Sequence, residues 1–154
     1  MSRGGPARVG VLDGDTPSEE RDWINAHAQV VISNPDMLNV SVLPRHQRWR
    51  RLLRQLRIIV IDECHVYRGV FGSHTALILR RLLRLARAAG AEPQVIAASA
   101  TAGAPGRSVA RLIGADVVEV TDDASPRGSV EVVLRAPADH VGSRTEVAEV
   151  LAAL

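Results

Sequence analysis

Short apolar runs separated by longer amphipathic stretches set the pattern of this chain. Val9-Gly10-Val11-Leu12, Ala28 to Ser33, Ile58-Ile59-Val60-Ile61, Val95-Ile96-Ala97-Ala98 and Val117-Val118-Glu119-Val120 each read as a strand. The segment Val30-Val31-Ile32 carries no polar alternation, so it is expected to be buried on both faces. Between the runs, apolar residues recur at helical spacing. Thr16 is a candidate N-cap with Pro17 at the first helical position and Glu19 completing a capping box, for a helix to about His27. Arg45 to Arg57 reads as a basic helix with Trp49, Leu52, Leu53 and Leu56 on one face. Tyr67 to Ser73 reads as a glycine-punctuated loop, and Thr75 to Ala89 as a long helix stopped by Gly90. Pro105 opens a further helix to about Ile113.

Strands alternating with helices predict an α/β domain, with a mostly parallel sheet and helices on both faces. In such sheets ligands bind beyond the carboxyl ends of the strands. Those ends carry Asn34-Pro35-Asp36, Asp62-Glu63-Cys64-His65 and Ser99-Ala100-Thr101. The polar residues able to do chemistry are thus expected along one edge. Two carboxylates closing the apolar strand Ile58–Ile61 are costly to bury without a partner. A divalent metal and an activated water would supply one. Taken alone, the pair reads more readily as an acidic cap on the following turn.

Composition narrows the choices. The 154 residues suffice for one domain with a core, and nothing approaches a membrane-spanning apolar run. The N-terminal residues lack the apolar segment of a signal peptide, so the cytoplasm is the expected compartment and no membrane partner is expected. A single cysteine, Cys64, excludes an internal disulfide and leaves no zinc site in the chain. Cys64 itself reads as a small packed residue. All 19 basic residues are Arg. A P-loop needs a Lys to reach the β- and γ-phosphates, and this chain has none to offer. Ser99 lacks the elbow of a hydrolase nucleophile. The arginines of Arg45–Arg57 fit either a phosphate-facing patch or a solvated face.

Towards the C-terminus, Thr121 to Gly128 reads as a linker, Val130 to Leu134 as a strand, and Ser143 onward as a helix with Ser143 as N-cap and Glu146 three residues on. The expected division is a domain over 1–122, a linker over 123–129 and the truncated start of a second domain over 130–154.

An apolar strand followed by D-E-x-H resembles the Walker B box of superfamily 2 DEAD/DEAH-box helicases, in its DECH spelling. The order Asp13-Gly14-Asp15-Thr16-Pro17, Ser33-Asn34-Pro35-Asp36-Met37-Leu38, Asp62-Glu63-Cys64-His65 and Ser99-Ala100-Thr101 strengthens the likeness. Tyr67 to His74 and Ser125-Pro126-Arg127-Gly128 point to the bacterial branch related to RecQ-four-like helicases, the mitomycin-repair type. The resemblance implies an incomplete RecA-like (P-loop NTPase) domain, the later part of the first of two, with the start of the second over 130–154. It implies ATP and Mg²⁺ as cofactors of the parent protein, with Asp62 holding Mg²⁺ through water and Glu63 polarising the attacking water. His65, Ser99 and Thr101 would couple nucleotide state to movement. Gly14, Thr16, Ser33, Asn34 and Asp36 would contact a nucleic-acid strand, DNA rather than RNA.

The expected function is a fragment of an ATP-dependent DNA helicase or translocase. The chain alone is expected to be inactive, for want of the P-loop Lys and a second domain, and the missing helicase portions would be its partners if the protein is split. The alternative is a catalytically inactive nucleic-acid-binding or partner-docking remnant.

Overall fold

A computed structural model describes residues 6–99, 105–122, 126, 128–129, 131–132 and 143–152. The chain divides into two compact units, residues 1–120 and 121–154. In the first, β1 (Val9–Leu12), α1 (Ser18–His27) and β2 (Val30–Ser33) form one β-α-β unit. A short helix, α2 (Pro35–Met37), continues into a wider π-type turn over Leu38–Val42, and α3 (Arg50–Gln55) follows. A second β-α-β unit comprises β3 (Ile58–Ile61), α4 (Gly69–Ala88) and β4 (Gln94–Ala97), and α5 (Pro105–Ile113) packs beside it. In the second unit α6 spans Ser143–Ala152.

Each strand pair is parallel. Val9 lies opposite Val30 and Leu12 opposite Ser33, while Ile58 lies opposite Gln94 and Ile61 opposite Ala97. The two pairs are separate, with no ladder joining β2 to β3. Both rest on α4. Ile78 and Leu82 of α4 join a core with Leu12, Ile24, Val42, Leu43, Trp49 and Leu53. Leu79 of α4 joins a second core with Ile61, Cys64, Val109 and Leu112. Ile59 touches both clusters.

Helices on both sides of the sheet are met on one side only among the described residues. The inward residues of the strands, such as Leu12 and Ile61, are buried. The alternate residues Val9, Val11, Val30, Ile32, Ile58, Val60 and Ile96 are 46–65% exposed. Paired residues share a face of a sheet, so these side chains make one apolar outer face on each pair. The unbroken apolar run Val30–Ile32 implies burial on both sides, yet Val30 and Ile32, two of its three residues, meet solvent.

Several boundaries also differ from the pattern. The helix expected from Thr75 begins at Gly69, six residues earlier. Gly72 makes that possible, because a Cβ there would stand 2.5 Å from the carbonyl oxygen of Tyr67. The same helix ends as expected. Gly90 takes φ +91, with Gly90 N–H donating to Arg87 and Ala91 N–H donating to Ala86, a Schellman closure. The basic helix is shorter than expected, with turns from Leu43 to Trp49 before α3. Val117 to Val120 enters no ladder, and Val118 and Val120 are almost fully exposed. Residues 130, 133 and 134 of the strand expected from Val130 to Leu134 lie outside the described residues, as does most of the expected linker.

Adjacent positions on α4 therefore serve different cores. Ile78→Ala and Leu79→Ala are each expected to cost about 2–5 kcal/mol in urea unfolding, whereas Leu77→Ala, at an exposed position of the same helix, stays within about 0.5 kcal/mol.

Candidate functional site

The carboxyl ends of β1, β2, β3 and β4 carry the polar loops. After β3 the chain turns sharply. Asp62 accepts a hydrogen bond on Oδ1 from Glu63 N–H at 2.9 Å. Glu63 sits in the left-handed region at φ 46 and ψ 43, the one non-glycine among the described residues with positive φ. Such a backbone costs a non-glycine residue about 1–2 kcal/mol. The turn is locked to the end of β4, where Ala98 N–H donates to Ile61 and Cys64 N–H donates to Ala98, each at 2.9 Å. Cys64 is buried in the second core, as expected for a packed residue.

This arrangement leaves both acids largely exposed at the strand end. His65 Nδ1 lies 3.0 Å from Glu63 Oε2, off the line of a hydrogen bond, so the contact is electrostatic and depends on imidazole protonation. The tie between Cys64 and Ala98 brings Asp62–His65 alongside Ser99. The Ser99 hydroxyl is buried and makes no hydrogen bond among the described residues. Thr101 lies outside the described residues.

At the end of β2, Ser33 donates its hydroxyl to Leu12 C=O at 2.7 Å, and Asn34 Oδ1 caps α2 by accepting from Met37 N–H at 2.8 Å. Asp36 is exposed in the first turn of α2. Ser33, Asn34 and Asp62 line one cavity of about 360 Å³ with Tyr67 and Thr75. Burial pushes the Tyr67 phenol up, with the charges of Cys64 and Asp62 adding to it.

The loop after β1 is built differently from a capping box. Thr16 Oγ1 accepts from Asp13 N–H at 2.8 Å and approaches both Asp13 Oδ1 and Val11 C=O as donor. Pro17 takes the N-cap position of α1, with no side-chain cap. Arg21 straps the loop, donating to the carbonyls of Thr16, Asp13 and Gly14. Gly14 is exposed, with open space around it. The hydroxyls of Thr16 and Ser33 and the amide oxygen of Asn34 are thus spent on loop shape. The Thr16 hydroxyl is the main cause that holds the Asp13 carboxyl below its usual value of 3.8, with backbone N–H groups and Arg21 acting in the same direction against a desolvation cost.

Among the basic residues, Arg48 pairs with Asp22. Arg51 clasps the end of α1 through the carbonyls of Asn25 and Ala28. Arg45, Arg50, Arg54 and Arg57 stay exposed. Two residues at the site escaped the sequence reading. Arg21 gave no signal. Thr75 did, since it shares the stripe of Ile78, Leu79 and Leu82, where a hydroxyl is out of place.

The sequence model of the DEAD/DEAH box helicase family matches residues 2–109. The chain belongs to the DEAD/DEAH box helicase family. It is 42% identical over 134 residues to the ATP-dependent helicase HRQ1 of Saccharomyces cerevisiae, covering 85% of this chain and 12% of that protein. It is 42% identical over 125 residues to the ATP-dependent helicase YprA of Bacillus subtilis, covering 81% of this chain and 17% of that protein. A crystal structure of the DUF1998 helicase MrfA bound to DNA and AMPPNP superposes with a TM-score of 0.77 at 42% identity, over 79% of this chain and 17% of that one. The chain thus spans less than a fifth of these relatives and corresponds to part of a RecA-like helicase domain.

A helicase of this family works with Mg²⁺ and ATP. Among the described residues no three metal-ligating side chains converge. Asp62, with one oxygen engaged by Glu63 N–H, fits an ion held mainly by nucleotide phosphates and water, not an ion caged by the chain. No helix among the described residues is long and apolar enough to cross a membrane.

Two measurements check this geometry. Glu63→Gly is expected to raise stability by about 0.5–1 kcal/mol, because glycine relieves the left-handed backbone; unchanged or lower stability in chemical unfolding would refute the strain. Asp13 has a folded pKa below its unfolded value, so its contribution is fully present above about pH 4 and is lost as pH falls through the lowered folded value. In Thr16→Val, the carboxyl resonance of Asp13 should titrate closer to its ordinary range, and the acid dependence of stability should shrink.

Proposed function

We propose that this chain is part of the motor domain of an ATP-dependent DNA helicase or translocase, and that it supplies the acidic half of the ATP site. The observation that supports this most is the seating of the Asp62–His65 turn. Two backbone hydrogen bonds join it to the end of β4, beside Ser99 and on the same edge as the Ser33–Asn34 loop. In this reading Asp62 holds Mg²⁺ through water, and Glu63 polarises the water that attacks the γ-phosphate. His65, Ser99 and Thr101 couple nucleotide state to strand movement.

Gly14, Thr16, Ser33, Asn34 and Asp36 form the nucleic-acid edge. Thr16, Ser33 and Asn34 shape its loops through their internal hydrogen bonds, leaving exposed backbone and Asp36 for contact. DNA is favoured over RNA because the MrfA structures carry DNA. The phosphate-gripping lysine and the closing second domain come from outside this chain, whose 19 basic residues are all Arg. Residues 130–154 are read as the start of that second RecA-like domain, and 123–129 as the linker to it. The protein is read as cytoplasmic and, by its likeness to the mitomycin-repair branch, as acting in DNA repair.

A second reading rests on the exposed arginines Arg45, Arg50, Arg54 and Arg57, a non-catalytic DNA-binding remnant. It predicts steeply salt-dependent DNA binding that ignores nucleotide.

The deciding experiment grafts this chain into Bacillus subtilis YprA in place of its matching segment. The chimaera is expected to hydrolyse ATP with DNA stimulation, and Glu63→Gln in it to lower turnover about 100-fold or more while nucleotide binding persists. The isolated chain is expected to hydrolyse no ATP. Undiminished turnover in the Glu63→Gln chimaera would sink the role given to Glu63.

A further inference from the structure

A groove between α4 and α5 contains none of the residues assigned to nucleotide or nucleic acid. Its volume is about 520 Å³. The floor is one face of α4, made of the small residues Gly69, Gly72, Ser73 and Ala76. Ser108, Arg111 and Leu112 of α5 form the facing wall. Arg68 stands at one end, in the N-cap position of α4. Arg80 and Arg111 stand together at the other, because the Arg80 guanidinium donates to the Arg111 carbonyl.

Other arginines of the chain are matched. Arg48 and Arg87 pair with Asp22 and Glu92, while Arg21 and Arg51 donate to loop and helix-end carbonyls. The three at the groove meet no carboxylate among the described residues, and no acid lines the cavity. Arg80 Nε is buried and has no hydrogen-bond acceptor. A buried donor left unpaired is costly, and so are like charges gathered round one space. Anionic acceptors would relieve both.

Length and rim narrow the kind of anion. Arg68 and Arg80 are separated by about 18 Å of helix axis, too far for one small anion to bridge. The ligand is therefore extended, with acidic groups at intervals. Between the charged ends the rim is aliphatic. Val70 and Leu77 are seven residues apart, so they share a face of α4, and they are 89% and 67% exposed. Leu77 lines the groove, while Leu79, Leu82 and Leu83 of the same helix are buried. Aliphatic side chains give bases no face to stack on, and the Tyr67 ring is already paired with Phe71 at 5.5 Å between centroids. Spaced carboxylates with apolar residues among them fit this rim better than a nucleic-acid strand does.

We propose that the α4–α5 groove docks an acidic, amphipathic peptide segment of a partner protein. Carboxylates of the segment pair with Arg68 at one end and with Arg80 and Arg111 at the other, where the guanidinium fork matches a carboxylate. An apolar residue between them packs on Leu77 and Val70. The probe is a short fluorescent peptide of Asp interspersed with Leu, measured by anisotropy against the whole chain without nucleotide. Binding is expected at low salt, weakening as salt rises. Arg68→Glu and Arg111→Glu should each lower affinity about tenfold or more. Arg54→Glu, at an exposed arginine of α3 outside the groove, should change it less than about twofold. Leu77→Ala, which spares stability, should weaken binding about fivefold to tenfold. In Arg111→Glu, a peptide with Lys in place of the matching Asp should recover affinity.

Equal losses from Arg54→Glu and Arg111→Glu would reduce the effect to general surface charge and overturn the groove. Equal affinity for a peptide with Ser in place of Leu would do the same, as would absence of binding at low salt. A single-stranded oligonucleotide that displaces the peptide and depends on the same arginines would make the groove a nucleic-acid site instead. Self-association of the chain that Arg111→Glu abolishes would make the occupant a second copy; either result overturns the peptide assignment. None of these readouts involves ATP, so the groove and the role given to Glu63 stand or fall separately.

Discussion

Burial of α4 is the interaction on which the rest of the first unit depends. Two parallel pairs of strands have no ladder between them, and a two-stranded sheet is at best marginal by itself. What holds them in one body is a single helix with two apolar stripes. Ile78 and Leu82 serve the β1–β2 side, while Leu79 serves the β3–β4 side. The length of α4 follows from this double duty. It reaches from Gly69 to Ala88, and its first turn passes close to the Tyr67 carbonyl, where only glycine at position 72 leaves room.

The position of the acidic turn descends from the same packing. α4 fixes β3, and β3 pairs with β4, so the end of one strand lies against the end of the other. Cys64 then plugs the second core with its side chain and bonds Ala98 with its amide. Between the buried Ile61 and the buried Cys64 only two residues remain to make the turn, and both are acids. Glu63 is driven into the left-handed region as a result. Strain of this kind persists where surrounding contacts over-determine the backbone, and it is common where a side chain must be aimed. Asp62 offsets part of it by accepting the Glu63 amide.

The strands Val9–Leu12 and Ile58–Ile61 were legible to the residue, because short apolar runs between polar breaks leave little choice. The start of α4 was not, since Gly69, Gly72 and Ser73 look like loop chemistry; burial of the following turns overrides their weak propensity. Thr16 and Glu19 matched a capping box, yet Asp13 competes for the Thr16 hydroxyl and wins, with Arg21 holding the loop. Val117–Val120 has strand composition and no neighbour to pair with among the described residues. At the site, the motifs fixed which residues meet at the strand ends. That the Ser33 hydroxyl and the Cys64 amide are already spent was invisible, because their bonds run to Leu12 and Ala98, far away in the chain, whereas the local bonds of Thr16 and Asn34 lie within three residues.

Burial on both faces is an expectation drawn from composition that the paired strands do not satisfy. Seven Val and Ile side chains on the outer faces remain about half exposed. Completing their burial is worth on the order of 5–10 kcal/mol, an upper figure because an unfolded chain already hides part of this surface. The whole stability of an ordinary domain is about 5–15 kcal/mol. The uncovered face is therefore comparable in free energy to folding itself. Sequence that keeps β-branched residues at all these positions, where charge would cost nothing in isolation, is sequence adapted to a covered sheet. The same logic applies to Asp62 and Glu63, aimed at a strand end with no lysine opposite them. The apolar outer face and the acidic turn meet on β3, which carries Ile58 and Val60 on the one and runs directly into Asp62 and Glu63 of the other.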